Sequence, residues 1–532
     1  MSAQVSRRAV LEAVGAVGGA GLLFESMGAL GLAPTAEAAR VPYRAPTPGD
    51  FSLTGRRRAR VVVLGAGIAG LTAAYELGKA GYDCVVLEAN SRPGGRNWTI
   101  RGGTSQRDLD GHVQTARFGK GQYLNAGPAR MAQWMVTMDY CRELGVAIEP
   151  LANQNANAYI YQEKGPLSGA AIRYRTAKAD VYGYISELLA KATDRGALDQ
   201  TLSAADKECL LNFLQDFGDI TGRSKGWRYE GSDRRGYRVN PGAGSQQGVV
   251  AGPPPSLHDV LGSQIGLDFS FEFEYKQAMM MFQPVGGMDH IAYALARKVG
   301  AGRLRYRSQV LSFADRPDGV EVDYRDEHGR IHCVRADFCV AAMPPHLLAR
   351  LRHNLGTPVQ LALTRPQPLS IGKLGLEYGR RWWEEDERIF GGITNTDLDI
   401  EEIWHPSYGF FGQRGVLLGY YNEGANAKMY DAMTPRARVS HAVDQGVKIY
   451  GEKYRSELIS AFSVAWRLIP HIEGGWLNWP EGTEREYALL NQPAGHVYFA
   501  GDWLTHLISW QAGAFLSARA AVTRIHERVM AA

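Results

Sequence analysis

Residues Arg60–Thr99, RVVVLGAGIAGLTAAYELGKAGYDCVVLEANSRPGGRNWT, limit the possible folds more than any other stretch. Val61 to Leu64 form an apolar, mostly β-branched run, the pattern of a strand buried in a parallel sheet. The run breaks at Gly65, Gly67 and Gly70, with G-x-G-x-x-G spacing. Leu71 to Gly81 then carry apolar residues at helical spacing and end on glycine. Cys84 to Leu87 read as a second apolar strand, closed by Glu88. Strand, glycine turn, helix and strand in this order predict a βαβ unit of an α/β, Rossmann-like dinucleotide fold.

Each residue type there has a physical task. Gly65 permits the tight turn, Gly67 lets backbone approach a pyrophosphate, and Gly70 lets the helix pack closely on the strand. The helix opens at Ile68 and Ala69, where free N–H groups and the positive dipole end favour an anion. Glu88, beside Ala89, is placed to accept hydrogen bonds from a ribose and to repel a 2′-phosphate. The glycines alone do not separate NAD from FAD. The next residues, Arg92-Pro-Gly-Gly-Arg96-Asn-Trp-Thr99, resemble the R-x-G-G-R-x-x-S/T signature of FAD-dependent amine oxidases. Gly94 and Gly95 let the chain run close to a phosphate, and Arg96 offers a bidentate fork. FAD is the expected cofactor.

The chain has 532 residues, more than one core serves, so two or three domains are expected. Its 45% hydrophobic and 21% charged content is that of a soluble globular protein. A formal charge of +4 gives no footing for nucleic acid. The cysteines (Cys84, Cys141, Cys209, Cys333, Cys339) show no CxxC or metal spacing, so buried thiols and no metal are expected. At the start, Arg7-Arg8 precede a Gly- and Ala-rich apolar run and an A-x-A site at Ala36-Glu37-Ala38. This resembles a twin-arginine signal over residues 1–39, cleaved near Ala38 or Ala39. It predicts export to the periplasm or exterior of a bacterium. No other 18-residue apolar stretch exists, so no membrane span is expected in the mature chain.

Further along, residues 102–121 are polar and Gly-rich and read as a surface excursion. A helix is expected over 132–144. Helical spacing recurs over 167–194 and 203–217, residues 222–256 read as a loop, and helices are expected at 257–264 and 270–281. His290–Val299 reads as a helix. Short strands follow, with hairpin turns at Asp318-Gly319 and His328-Gly329. Segment 366–480 mixes strands with a helix over 435–450, and a last helix follows Gln511. The expected division is a discontinuous FAD domain (55–125, 284–365, 481–532), a sheet-based substrate domain (126–150, 366–480) and a helical subdomain (151–283).

Three separated stretches together resemble the flavin monoamine oxidases: GAGIAG with RPGGRNWT, then Pro284-Val-Gly-Gly-Met-Asp289, then Val497-Tyr-Phe-Ala-Gly-Asp-Trp503. Asn125-Ala-Gly-Pro-Ala-Arg130 is similar to the NxGPxR segment of the L-amino acid oxidase branch, where the arginine binds the substrate carboxylate. An arginine fork fixes orientation as well as charge. The resemblance implies that Lys373 acts beside the flavin ring during reoxidation by oxygen. It implies that Tyr420 joins Arg130 at the carboxylate, with Tyr421 as a rival because alternation turns only one inward. Trp476 and Trp510 are implied as side-chain walls, and Gln277 as a further substrate contact. FAD contacts are implied at Gly65, Gly67, Ile68, Ala69, Gly70, Glu88, Ala89, Gly95, Arg96, Gly127, Pro128, Ala129, Arg130, Val310, Gly501, Asp502 and Trp510.

Two departures bear on the cofactor. The family's AGE is Ala500-Gly501-Asp502 here, one methylene shorter. Residues 496–520 hold no cysteine, whereas some amine oxidases tether FAD through one, so non-covalent FAD is expected. The implied activity is oxidative deamination of L-amino acids, with molecular oxygen as acceptor. The products are 2-oxo acid, ammonia and hydrogen peroxide. Larger neutral, apolar or aromatic side chains are expected, since no acidic cluster stands out for lysine or arginine. Rival readings are a decarboxylating amino acid 2-monooxygenase, an amine or polyamine oxidase, and a flavin-binding protein without oxidase activity. His506, a lone histidine before a helix, reads as structural. A homodimer or higher homo-oligomer is implied by the family.

Overall fold

The computed structural model describes residues 51–55, 58–270, 272 and 274–531. The expected signal segment lies outside the described residues. The opening motif forms the βαβ unit: strand Arg60–Leu64, helix Ile68–Lys79 and strand Asp83–Leu87, the two strands parallel. They are central in a five-stranded parallel sheet ordered Leu304–Arg305, Asp83–Leu87, Arg60–Leu64, Phe338–Ala341, Val497–Phe499. Val61 to Leu64 are fully buried, as a continuous apolar run covered on both faces requires. One face packs on the helices Ile68–Lys79, His290–Val299 and Gln511–Ala531. The other packs on an antiparallel meander, Gln309–Arg316, Gly319–Arg325 and Ile331–Ala336. Its turns fall at the two expected Gly positions.

A seven-stranded sheet is ordered Leu458–Ala465, Ile371–Tyr378, Gly415–Glu423, Glu402–Trp404, Ile393–Thr396, Tyr159–Tyr161, Ala171–Arg173. Alternation sends Leu374, Leu376 and Tyr378 to one face, against Ala442, Val443 and Ile449 of helix Pro435–Tyr450. Ile371, Val416 and Leu418 face the other way, toward Trp98, Ile100 and Leu124. Helices Tyr174–Asp194 and Ala204–Gly218 share a separate core with Trp227, Tyr229 and Phe269.

Several local expectations change. The polar excursion 102–121 contains a hairpin, Ser105–Arg107 with Val113–Thr115, whose apolar content is too low to signal strands. The helix expected over 132–144 begins at Val136. The one expected from 167 begins at Tyr174, after a strand that joins the larger sheet. Within 270–281, Met280 starts a strand to Pro284 that pairs with Ile148–Ala152. Cys84, Cys141 and Cys339 are buried, whereas Cys209 and Cys333 are exposed. Among the described residues, no helix is long and apolar enough to cross a membrane.

Candidate active site

A cavity of about 1040 Å³ starts at the carboxyl ends of strands Arg60–Leu64 and Asp83–Leu87 and reaches the inner face of the larger sheet. Open α/β sheets place their ligands at these strand ends. At this end it is lined by Gly65, Gly67, Ile68, Ala69, Glu88, Ala89 and Gly95. Gly67 is the helix N-cap, and no side chain caps the helix, so its first N–H groups are free for an anion. A Cβ at Gly67 would meet no protein atom within 4 Å. Gly70 does not line the cavity. A Cβ there would lie 2.0 Å from the Gly65 carbonyl oxygen, so its task is helix–strand packing and not ligand contact. Glu88 lines the cavity, and its carboxylate accepts the N–H of Ala66 and of Asn90, both at 2.7 Å.

Arg96 lines the same wall but is engaged by protein: its fork meets the Asp502 carboxylate and the Gly475 carbonyl, the latter at 2.8 Å. Aspartate at 502 therefore orients Arg96. Val310, Gly501 and Asp502 line the cavity, as do Asn97 and Gln511. Asn97 and Gln511 are buried and carry amide atoms with no hydrogen-bond partner among the described residues. Buried polar groups are seldom left unmade, so these mark ligand positions.

The segment carrying Arg130 is pinned along its length. Ala126 N–H donates to the Trp98 carbonyl, and Met131 exchanges backbone bonds with Phe282. At Gly127 the chain crosses so close to the Arg96 carbonyl oxygen that a Cβ would lie 1.8 Å from it. Asn125 Oδ1 accepts from Thr99 Oγ1 and from the Met288 N–H, so the 284–289 motif braces this segment and does not line the cavity. Arg130 then enters the cavity wall with Gly127, Pro128 and Ala129. Its guanidinium donates to Asn153 Oδ1 at 2.6 Å and lies 4.4 Å from the Trp404 ring centre. Burial lowers its pKa against the longer-range pull of Glu402 and Glu274, and its guanidinium makes its side-chain hydrogen bond to the Asn153 amide.

Beside it stand Lys373, Trp404 and Tyr421, one from each of three neighbouring strands. Lys373 Nζ donates to the Gly127 carbonyl at 2.5 Å and sits 4.4 Å from the Tyr421 ring centre. Burial, reinforced by the Arg130 charge, pulls its pKa down to about 7. Trp404 Nε1 donates to Glu402 Oε2 at 2.7 Å. Trp476, Trp510 and Gln277 line the cavity as expected.

Tyr420 does not. It is fully buried on the far face, against Tyr430, and Tyr421 takes the cavity side. The cause is a register shift: Gly375 pairs with Leu418 but Leu374 with Tyr420, leaving Gly419 as a bulge that reverses the alternation. Trp404, Glu402 and Asn153 were missed. The alternation of Glu402-Ile-Trp404 was the available signal, in a strand too short to stand out. The cavity wall also carries Glu274, Glu401 and Glu423, so an acidic group is present where none stood out in the sequence.

A family model for flavin containing amine oxidoreductases matches residues 68–526, which take in the larger sheet, the parallel sheet apart from strand Arg60–Leu64, and the cavity wall from Ile68 onward. The chain belongs to that family. Among similar proteins is YobN of Bacillus subtilis (strain 168), provisionally named an L-amino-acid oxidase. It is 24% identical over 478 residues, covering 86% of this chain and 92% of the relative. The L-amino-acid oxidase of Pseudechis australis is 22% identical over 85% of this chain and 83% of its own. Cyclohexylamine oxidase from Brevibacterium oxydans shares the fold, with a TM-score of 0.59 at 17% identity over 89% of this chain and 99% of that one.

The amine oxidoreductase family implies a flavin, and the residues fit FAD. The uncapped helix end and the Gly67 opening suit a pyrophosphate, Glu88 suits a ribose, and the unpartnered Asn97 and Gln511 amides await polar groups. Among the described residues no cysteine lines the cavity.

Proposed function

We propose that this amine oxidoreductase is an L-amino acid oxidase with non-covalent FAD. The observation that carries the reading is Arg130: a cation in the cavity wall, aimed by Asn153 and Trp404, on which the charges of Glu402 and Glu274 act at longer range. Leaving a buried charge unpaired is costly, and a substrate carboxylate supplies the missing partner. A simple amine would leave the Arg130 fork with only the longer-range charges of Glu402 and Glu274.

Asn153 and the Trp404 face hold the Arg130 fork, so the carboxylate arrives in one orientation. Tyr421 lines the same wall and adds a hydroxyl donor. Trp404, Trp476 and Trp510 exclude water around the amine. Lys373, anchored on the Gly127 carbonyl and close to Arg130 beside the Trp404 ring, offers a positive charge below about pH 7, suited to negative charge that develops on oxygen. FAD, when bound, would supply the acceptor for the α-hydride of the substrate and the route for its electrons to molecular oxygen. The imino acid then hydrolyses in water to a 2-oxo acid and ammonia.

The test is product analysis with purified, FAD-loaded protein. L-amino acids should yield stoichiometric 2-oxo acid, ammonia and hydrogen peroxide, and D-isomers should not react. Formation of amide and carbon dioxide would assign a monooxygenase. Turnover confined to amines would remove the role of Arg130.

A further inference from the structure

We infer that Glu402 selects substrates whose side chain ends in a cation, of the L-arginine, L-ornithine and L-lysine type. The inference rests on the L-amino acid oxidase reading and names its substrate class. Glu402 lies two residues before Trp404 on the same short strand, so both side chains share the cavity face while Ile403 turns into the opposite core. The Trp404 indole N–H fixes one Glu402 oxygen. The other has no hydrogen-bond partner among the described residues, and the charges that act on it are those of Arg130 and Lys373 at longer range.

Position separates the two cations a substrate can offer. In sheet order, the Glu402 strand lies one beyond that of Tyr421 and two beyond that of Lys373. At about 4.8 Å per strand, the backbone of Glu402 stands roughly 10 Å across the sheet from that of Lys373, and the two side chains converge on the Trp404 ring between them. Arg130 lies over the Trp404 face and Glu402 at its N–H edge, so a substrate held by its carboxylate on Arg130 meets Glu402 with the far end of its side chain.

The charge balance agrees. Arg130, Lys276 and Lys373 face Glu274, Glu401, Glu402 and Glu423 around this end of the cavity. Burial raises the carboxyl pKa of Glu401, Glu402 and Glu423, and the Glu402 charge adds to the rise at Glu401 and Glu423. Once a substrate carboxylate has neutralised Arg130, the wall holds an excess of anions. A side-chain cation relieves that repulsion, whereas an apolar side chain leaves Lys373 as the remaining compensating charge on a desolvated Glu402.

L-arginine and L-citrulline differ chiefly in side-chain charge, so their kcat/KM ratio reads the selection directly. The holoenzyme should prefer arginine by at least ~30-fold, the loss expected when a buried charge is denied its partner. Glu402→Gln keeps an acceptor for the Trp404 indole and should reduce that preference at least ~10-fold. A second readout needs no turnover: perturbation of the flavin spectrum by arginine and citrulline lacking the α-amino group. The deaminated arginine should bind the wild type at least ~10-fold more tightly than the deaminated citrulline, and Glu402→Gln should close the gap. Equal handling of arginine and citrulline, or a preference for leucine or phenylalanine, overturns the selection and leaves the oxidase reading intact. Turnover of no L-amino acid at all overturns both.

Discussion

Lys373 and Tyr421 are cross-strand partners, with the lysine ammonium 4.4 Å from the centre of the tyrosine ring. The pairing exists because Gly419 is bulged out of register. A Cβ at Gly419 would lie 2.5 Å from a Leu376 methyl, so no other residue occupies this position without displacing the core beneath. The bulge turns Tyr421 toward Arg130 and buries Tyr420 on the other side. Tyr421→Phe removes a hydroxyl at the carboxylate site and should raise KM for amino acids about 10-fold, equivalent to about 1.4 kcal/mol. Tyr420→Phe should leave steady-state kinetics within about 2-fold, since the ring does not reach the cavity. Steady-state assays of the two variants decide between them.

Lys373 should impose a pH dependence on reoxidation. Its pKa falls from 10.5 to about 7, chiefly through burial. Below that value the side chain is an ammonium and above it a neutral amine. The rate of reaction of the reduced enzyme with oxygen should therefore fall as pH rises through about 7, and Lys373→Met should be slow and flat with pH. Stability runs the opposite way. Between about pH 7 and 10.5 the unfolded chain binds the extra proton, so this residue makes the apoprotein more stable as pH rises through that window. Stopped-flow reoxidation and thermal melts from pH 6 to 9 check both.

Two glycines of the opening motif should fail in different ways. At Gly70 a methyl group meets the Gly65 carbonyl, so Gly70→Ala should destabilise the apoprotein by about 1–3 kcal/mol. At Gly67 a methyl group meets no protein atom and intrudes only on the ligand's space. Gly67→Ala should leave the apoprotein melt unchanged and weaken FAD retention at least ~10-fold. Melts of the flavin-stripped proteins, with FAD titrations, separate the two.

What could be read from the sequence follows the range of the interactions involved. The βαβ unit was legible because its strands, glycines and helix are contiguous and their periodicities are strong. Arg130, Lys373, Trp476 and Trp510 came through resemblance, and the cavity contains all four. Tyr421 was not separable from Tyr420, because the bulge at Gly419 follows from packing on Leu374 and Leu376, which linear alternation does not contain. Glu402 and Trp404 belong to a three-residue strand whose partners lie elsewhere in the chain, so nothing local marked them. Arg96 reads as a phosphate ligand in sequence. Its engagement by Asp502 depends on bringing residues 406 positions apart together.

The central claim is that Arg130 reads a carboxylate. The most direct measurement is kcat/KM for an L-amino acid and for its decarboxylated amine, in wild type and in Arg130→Ala. Losing one partner of a buried charged pair should cost about 2–4 kcal/mol. The amino acid should therefore lose ~30- to 10³-fold while the amine is unchanged or improved. Equal losses on both substrates, or an amino acid rate that survives the substitution, would contradict the account.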